Sequence, residues 1–204
     1  MKNWLIYLLI LFSIVPLSCQ KGDNDPALSL RTRKNRLTGT WEIESYEFNA
    51  SFGDIRSISY DPTLGLVYES SDSLSYSRTF SWEMVFDGDG LYSSIKNEDF
   101  PEDSINGSEA YKLTSIEKGI WEFTGGNDSP SKSKLAFFAE ENSSTRTDQG
   151  SNIDITVISN TTSAFVYDID RLTNKELWLT YDIVQTSAFE EQTESIEIKF
   201  VKTD

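Results

Sequence analysis

Apolar and polar residues alternate along most of this chain. Trp41 and Ile43 alternate with glutamates, and from Phe80 to Phe86 large apolar residues occupy every second position. Side chains on one face of a strand repeat every two residues, so this pattern predicts β-strands rather than helices. Turn residues, such as Asp-Gly-Asp-Gly at 87–90, separate the runs. The pattern predicts eight successive strands, at 39–49, 80–86, 91–95, 111–124, 134–140, 153–172, 176–184 and 195–202.

Eight consecutive strands joined by turns predict an antiparallel meander, and closing it into a barrel removes both exposed edges. The expected fold is therefore all-β, an eight-stranded antiparallel up-and-down barrel with a short N-terminal helix. On the third strand, Ser93 is expected inside the barrel, between Leu91 and Ile95. A sandwich of two packed sheets is the alternative, because a period of two does not distinguish these folds.

The first residues have the pattern of an export signal. Lys2 precedes an apolar run that is short for a membrane span, and Ser18 stands before Cys19, the only cysteine. This arrangement resembles the lipobox of bacterial lipoproteins, in which the cysteine receives a diacylglyceryl group and an amide-linked acyl chain such as palmitate. An ordinary signal peptide that contains Cys19 is the alternative. The resemblance implies a membrane-anchored outer-membrane lipoprotein of the cell envelope, on either its periplasmic face or the cell surface.

A short helix is expected within 27–37, because Asp25 and Pro26 form an N-terminal cap and Gly39 is a stop. Its basic residues, including Arg33 and Arg36, would contact phosphate head groups or face water. The chain is thus divided into a lipoprotein signal peptide (1–18), a lipidated tether with the short helix (19–35) and the barrel domain (36–204).

Residues 37–43, which contain Gly39 and Trp41, resemble the Gly-x-Trp signature of lipocalins and of bacterial lipocalin-like lipoproteins. Segments 86–90, 119–123 and 169–179 are similar to that bacterial family as well, and the match extends over residues 36–202. The resemblance implies a lipocalin-like barrel whose base Trp41 closes. Typical lipocalins stack an arginine from the end of the last strand over this tryptophan, so here Lys202 must substitute or the contact is absent.

Composition and charge narrow the chemistry. The net charge of −15 opposes binding to nucleic acid. The chain has no histidine, which excludes the commonest general base and Ser-His or Cys-His catalysis. We therefore expect no enzyme, no catalytic residues, no cofactor and no metal site. Asp87 and Asp89 offer calcium-type oxygen ligands, although a tight turn explains them without an ion.

Two classes of non-catalytic function remain. The lipocalin-like resemblance implies a small hydrophobic ligand, whereas a barrel filled by its own aromatic side chains would serve as an accessory lipoprotein that binds an envelope protein through the 50–74 loop. Asp-Ser-aliphatic sequences at Ser73 and Ser104 are similar to O-glycosylation sequons of some Gram-negative bacteria. The candidate ligand-binding residues are Trp82, Met84, Phe86, Trp121, Phe123, Phe137, Phe165, Tyr167 and Tyr181.

Overall fold

The alternating pattern forms one antiparallel sheet preceded by a single helical turn. A computed structural model describes residues 32–51, 56–71, 75–102, 109–125, 133–148, 151–158, 164–186 and 191–203. The predicted signal peptide, Cys19 and most of the tether lie outside these residues. The elements are α1 (Arg33–Leu37), β1 (Gly39–Ala50), β2 (Arg56–Asp61), β3 (Leu66–Ser71), β4 (Ser75–Phe86), β5 (Leu91–Phe100), β6 (Tyr111–Thr124), β7 (Lys134–Asp148), β8 (Ser151–Ile158), β9 (Phe165–Leu172), β10 (Glu176–Thr186) and β11 (Glu191–Lys202).

The sheet closes on itself, which confirms the predicted all-β antiparallel barrel with a short helix. Strands β1, β4, β5, β6, β7, β9, β10 and β11 pair in that order, and β11 pairs again with β1. The predicted total of eight strands is wrong, because the described residues form an 11-stranded sheet. The three additional strands, β2, β3 and β8, fill positions where neighbouring strands of the ring diverge.

Two of the additional strands come from the segment predicted as the 50–74 loop. β2 and β3 form a hairpin that pairs with the upper half of β1 on one side and of β4 on the other. Ile58 and Val67, expected to be exposed, are buried against the sheet. The charged Glu69, which is also buried, interrupts the apolar alternation of β3, so the hydropathy pattern does not predict this strand.

The predicted run 153–172 is likewise two strands. β8 pairs with the upper part of β7, from Glu141 to Asp148, whereas β9 pairs with its lower part and with β10. In the part of the chain that the structure describes, no ladder joins β8 to β10. The wall above β9 therefore lacks a described strand between β8 and β10.

The helix closes the base of the barrel, and two of its three basic residues do not face water, whereas Lys34 is exposed. Thr32 caps α1 by accepting a hydrogen bond from the Asn35 backbone nitrogen. Arg33 and Arg36 are buried, contrary to expectation, and Arg36 donates to the carbonyl of Leu172 on β9. The aliphatic parts of these two arginine side chains thus pack beneath the barrel. Among the described residues, no helix has the length and hydropathy needed to cross a membrane.

A cavity inside the barrel as the candidate functional site

At its base, which we call the floor, the barrel is filled by a layer of buried apolar side chains around Trp41. This indole is fully buried, and its Nε1 donates to the Leu37 carbonyl at 2.7 Å. Gly39 has a φ of 130°, a conformation that an L side chain rarely adopts, and this turns the chain from α1 into β1. The Lys202 Nζ lies 5.2 Å from the centroid of the Trp41 ring. Lys202 therefore makes the cation–π contact for which typical lipocalins use an arginine.

Above this floor the barrel encloses a cavity of about 240 Å³. Five of the nine predicted ligand-binding residues line it, namely Trp82, Met84, Phe137, Phe165 and Tyr167. The other four do not reach its wall. The remaining lining residues are Ser94, Lys96, Ser115, Glu117, Asn142, Leu179, Ile198 and Phe200.

The other predicted aromatics support the wall from behind or above. Phe86 and Trp121 stack edge to face at 5.9 Å in the core below the cavity, and Phe123 packs 5.4 Å from Trp121. Tyr181 lies 5.9 Å from Tyr167. Their large inward side chains pack against one another, as expected for a close-packed interior. These four residues shape the cavity indirectly.

The polar side of the cavity was not predicted, because the hydropathy pattern of β5 favours the wrong face of this strand. Tyr92 and Ser94 are buried inside, whereas Leu91 is 51% exposed, opposite Ile120 on the outer surface. Ser93, expected inside, lies on the outer face as a consequence. Polar Ser94 and Lys96 alternate with apolar Leu91 and Ile95, so hydropathy alone points to the opposite face.

Asn142 reaches the cavity through an irregularity in β7. The register between β6 and β7 shifts between Lys118 and Gly119, where two residues of β7 oppose one of β6. Below this bulge Phe137 points inward, and above it Asn142 does. A Cβ at Gly119 would lie 2.0 Å from the Phe138 carbonyl oxygen, so only glycine fits at this bulge.

Two side-chain hydrogen bonds engage polar groups at the wall, but one charged group is an exception. The Trp82 Nε1 donates to the Ser94 Oγ at 2.8 Å, and the Tyr92 hydroxyl donates to the Glu117 Oε1 at 2.7 Å. Burial and this bond to Glu117 raise the pKa of Tyr92. The exception is the Lys96 Nζ, which lies 3.9 Å from the Trp82 ring centroid and has no hydrogen bond or ion pair within the described part of the chain.

A network of charged side chains stands above the cavity on the inward faces of β2 to β5. Arg78 binds Glu69 at 3.0 Å and Glu98 at 2.6 Å, and Arg56 binds Glu69 at 2.5 Å. The Tyr76 hydroxyl also donates to Glu69. Although burial raises the pKa of Glu69, these hydrogen bonds and the Arg56 charge lower it overall. The charges compensate one another within the network.

Phe165 marks an opening on the side of the barrel. It is the first residue of β9, it lines the cavity, and it is nevertheless 66% exposed. It lies below the stretch of wall where no ladder joins β8 to β10 in the described residues. The Phe165 side chain therefore contacts both the cavity and solvent.

The turn at 87–90 is held by its own hydrogen bonds. The Asp87 carboxylate accepts from the backbone nitrogens of Asp89 and Leu91, both at 2.8 Å. These bonds, that of Leu91 first, lower the pKa of Asp87. Among the described residues, no group of three or more Cys, Asp or Glu side chains is arranged to hold a metal ion. The predicted glycosylation sites Ser73 and Ser104 lie outside the described residues.

Comparison with protein-family models, with curated protein sequences and with solved structures finds no match to this chain.

Proposed function

We propose that this chain is a membrane-anchored, non-catalytic lipoprotein of the bacterial cell envelope whose lipocalin-like barrel binds a small hydrophobic or amphipathic ligand. The cavity carries the proposal. It has aromatic and aliphatic walls, a few convergent polar groups and a half-open side at Phe165, which are the features of small-molecule sites. A barrel filled entirely by its own core would leave no such volume.

The size of the cavity limits the ligand. Its 240 Å³ lies below the usual range of roughly 300 to 1,000 Å³ for drug-sized ligands, and it equals the liquid volume of about eight water molecules. We therefore propose a compact ligand, of the size of a naphthalene or a medium-length alkyl chain. A longer ligand would extend through the opening beside Phe165.

The non-catalytic part of the proposal is supported by the interior chemistry. The chain has no histidine, and the carboxylate of Glu117 in the wall accepts a hydrogen bond from Tyr92 instead of standing beside a second acid. On the outer surface, Glu141 pairs with Lys118 at 3.6 Å.

The envelope location and the anchor rest on the sequence around Cys19. A thioether-linked diacylglyceryl group with an amide-linked acyl chain provides more than the marginal affinity of a single chain. The alternative function, an accessory protein that binds an envelope partner through residues 50–74, loses its argument from loop length because β2 and β3 are strands. Leu64 at the tip of this hairpin is exposed and remains its best contact point.

The proposal is tested by uptake of 1-naphthylamine, a neutral compound whose fluorescence increases in apolar surroundings. Ser115→Leu adds an alkyl group to the cavity wall, and Ser93→Leu makes the same change on the outer face of the neighbouring strand. We expect the full-length wild type and Ser93→Leu to take up the probe, and Ser115→Leu to lose at least tenfold in affinity.

Equal binding by all three proteins places the probe outside the cavity, and lack of uptake by the wild type shows that the cavity does not bind apolar molecules. Either result overturns the proposed function. Native mass spectrometry of the natively expressed protein, purified mildly, complements this assay, because a co-purified small molecule identifies the ligand directly.

A further inference from the structure

The two charged side chains that line the cavity differ in their polar contacts. Among the described residues that line the cavity, Lys96 is the only cation and Glu117 the only carboxylate. Glu117 accepts a hydrogen bond from the buried Tyr92, so one of its oxygens is engaged. The Lys96 Nζ lies 3.9 Å from the Trp82 ring centroid and forms no hydrogen bond or ion pair with the described residues, although the charge of Glu117 acts on it. A cation–π contact does not replace the hydrogen bonds that an ammonium loses when it leaves water.

The other nearby carboxylate is committed elsewhere. Glu98, two residues from Lys96 on the same face of β5, binds the Arg78 Nε at 2.6 Å. Burial lowers the pKa of Lys96, and the Glu117 and Glu98 charges only partly oppose this effect. A negative group placed beside the Lys96 Nζ would add a hydrogen-bond acceptor and a second opposite charge at this ammonium.

On these grounds we infer that the cavity selects amphipathic carboxylates, with the carboxylate at the Lys96 ammonium and the alkyl part against Phe137, Leu179 and Ile198. This inference rests on the proposed function and names its ligand class. Leu179 and Ile198 lie on β10 and β11, across the ring of strands from β5, so a head group at Lys96 and the end of a tail meet different walls, whereas Phe137 on β7 lies between them. A cationic ligand would instead meet the charge of Lys96 at short range.

Two probes that differ only in their head group separate the contribution of the head group to binding from that of the alkyl tail. Octanoate and 1-octanol have the same chain length, and isothermal titration calorimetry on the full-length protein gives the ratio of their dissociation constants. We expect the wild type to bind octanoate at least tenfold more tightly. Lys96→Met, which keeps the length of the side chain but removes its charge, should reduce that ratio to about one.

Two further variants control the result. Lys112→Met removes a lysine that lies on the outer face of β6 and is paired with Asp99 at 3.0 Å, so the octanoate preference should be retained. Glu117→Gln removes the negative charge opposite Lys96 and keeps an acceptor for Tyr92, so the preference should increase. This variant keeps the inference testable if Lys96→Met fails to fold.

The inference is overturned if the wild type shows no preference for octanoate, if Lys96→Met retains the preference, or if Glu117→Gln lowers it. Its failure differs from failure of the proposed function. Uptake of 1-naphthylamine without selection of octanoate leaves a binding protein for neutral ligands, whereas no uptake of any of the three probes removes the binding function itself.

Discussion

Replacing Trp41 tests whether the tryptophan at the base holds the barrel closed. Its indole has no exposed surface, its Nε1 donates to the Leu37 carbonyl at 2.7 Å, and the Lys202 ammonium lies 5.2 Å from the ring centroid. Trp41→Ala removes all three interactions and leaves a cavity. Trp41→Phe keeps most of the apolar contact but removes the donor.

The magnitude follows from these contacts. Truncating a buried tryptophan to alanine costs about 3 to 5 kcal/mol, and an orphaned buried carbonyl at Leu37 adds roughly 1 kcal/mol or more. Trp41→Ala should therefore lose about 4 to 6 kcal/mol, which is comparable to the whole stability of many domains. Trp41→Phe should lose about 2 kcal/mol. If the free energy of unfolding falls by about 2 kcal/mol per M of urea, that loss moves the urea midpoint by about 1 M.

The matched control is Trp178→Ala on the outer face. Its ring lies between the charged groups of Arg171 and Lys199, each 4.9 Å from the centroid, and it is only partly buried. Such exposed cation–π contacts contribute about 0.5 to 1 kcal/mol each, so a loss of about 1 to 2 kcal/mol is expected. Urea unfolding of each full-length variant, followed by circular dichroism at equilibrium, measures the free energies of unfolding.

The reasoning is refuted if Trp41→Ala costs less than about 2 kcal/mol, or no more than Trp178→Ala. Either result would mean that the base of the barrel tolerates an empty volume, so that Trp41 is not the residue that closes it. A Trp41→Phe variant as stable as the wild type would show, more narrowly, that the bond to the Leu37 carbonyl contributes nothing.

Three further predictions concern other parts of the chain. Gly119→Ala should abolish folding or cost several kcal/mol in urea unfolding, because its Cβ would lie 2.0 Å from the Phe138 carbonyl oxygen; a neutral effect contradicts the bulge geometry. The pKa of Glu69 is lowered by folding, so its contribution to stability is complete at neutral pH and is lost as the pH falls below 4.5. The stability difference between wild type and Glu69→Gln should shrink over that acidic range, and a constant difference speaks against the Glu69 network. Cys19→Ala should release the natively expressed protein from membranes in detergent partitioning, and retention there contradicts lipidation.

Period-two alternation was sufficient to predict an all-β antiparallel fold, because a strand that is half buried must repeat its side chains every two residues, and the need to remove exposed edges favoured a barrel over a sandwich. It also placed eight runs of residues that became ring strands, in the correct order. Gly39 and Trp41 were predicted to lie at the base of the barrel from their resemblance to the Gly-x-Trp signature of lipocalins. The structure places both residues there.

Pattern alone did not find β2 and β3 or separate β8 from β9. A strand with a buried ion pair, as at Glu69, does not alternate in hydropathy, and its partners Arg56 and Arg78 lie on other strands. The backbone groups of β2 and β3 are satisfied by pairing with each other and with β1 and β4. These strands are consecutive in the chain, so the mixed polar and apolar composition of β2 and β3, and not the distance to their partners, concealed them.

The polar wall of the cavity was decided by tertiary structure as well. Which face of β5 points inward depends on its register with β4 and β6, and a shift of one residue exchanges Ser93 for Ser94. The bulge at Gly119 similarly determines that Asn142 faces the cavity. Lys96 reads as a solvated residue in the sequence, and only closure of the barrel places its ammonium over Trp82 in a small, mostly apolar volume. The sequence by itself therefore determined the type of fold, whereas the chemistry inside it depends on register and closure, which are properties of strand pairs rather than of single strands.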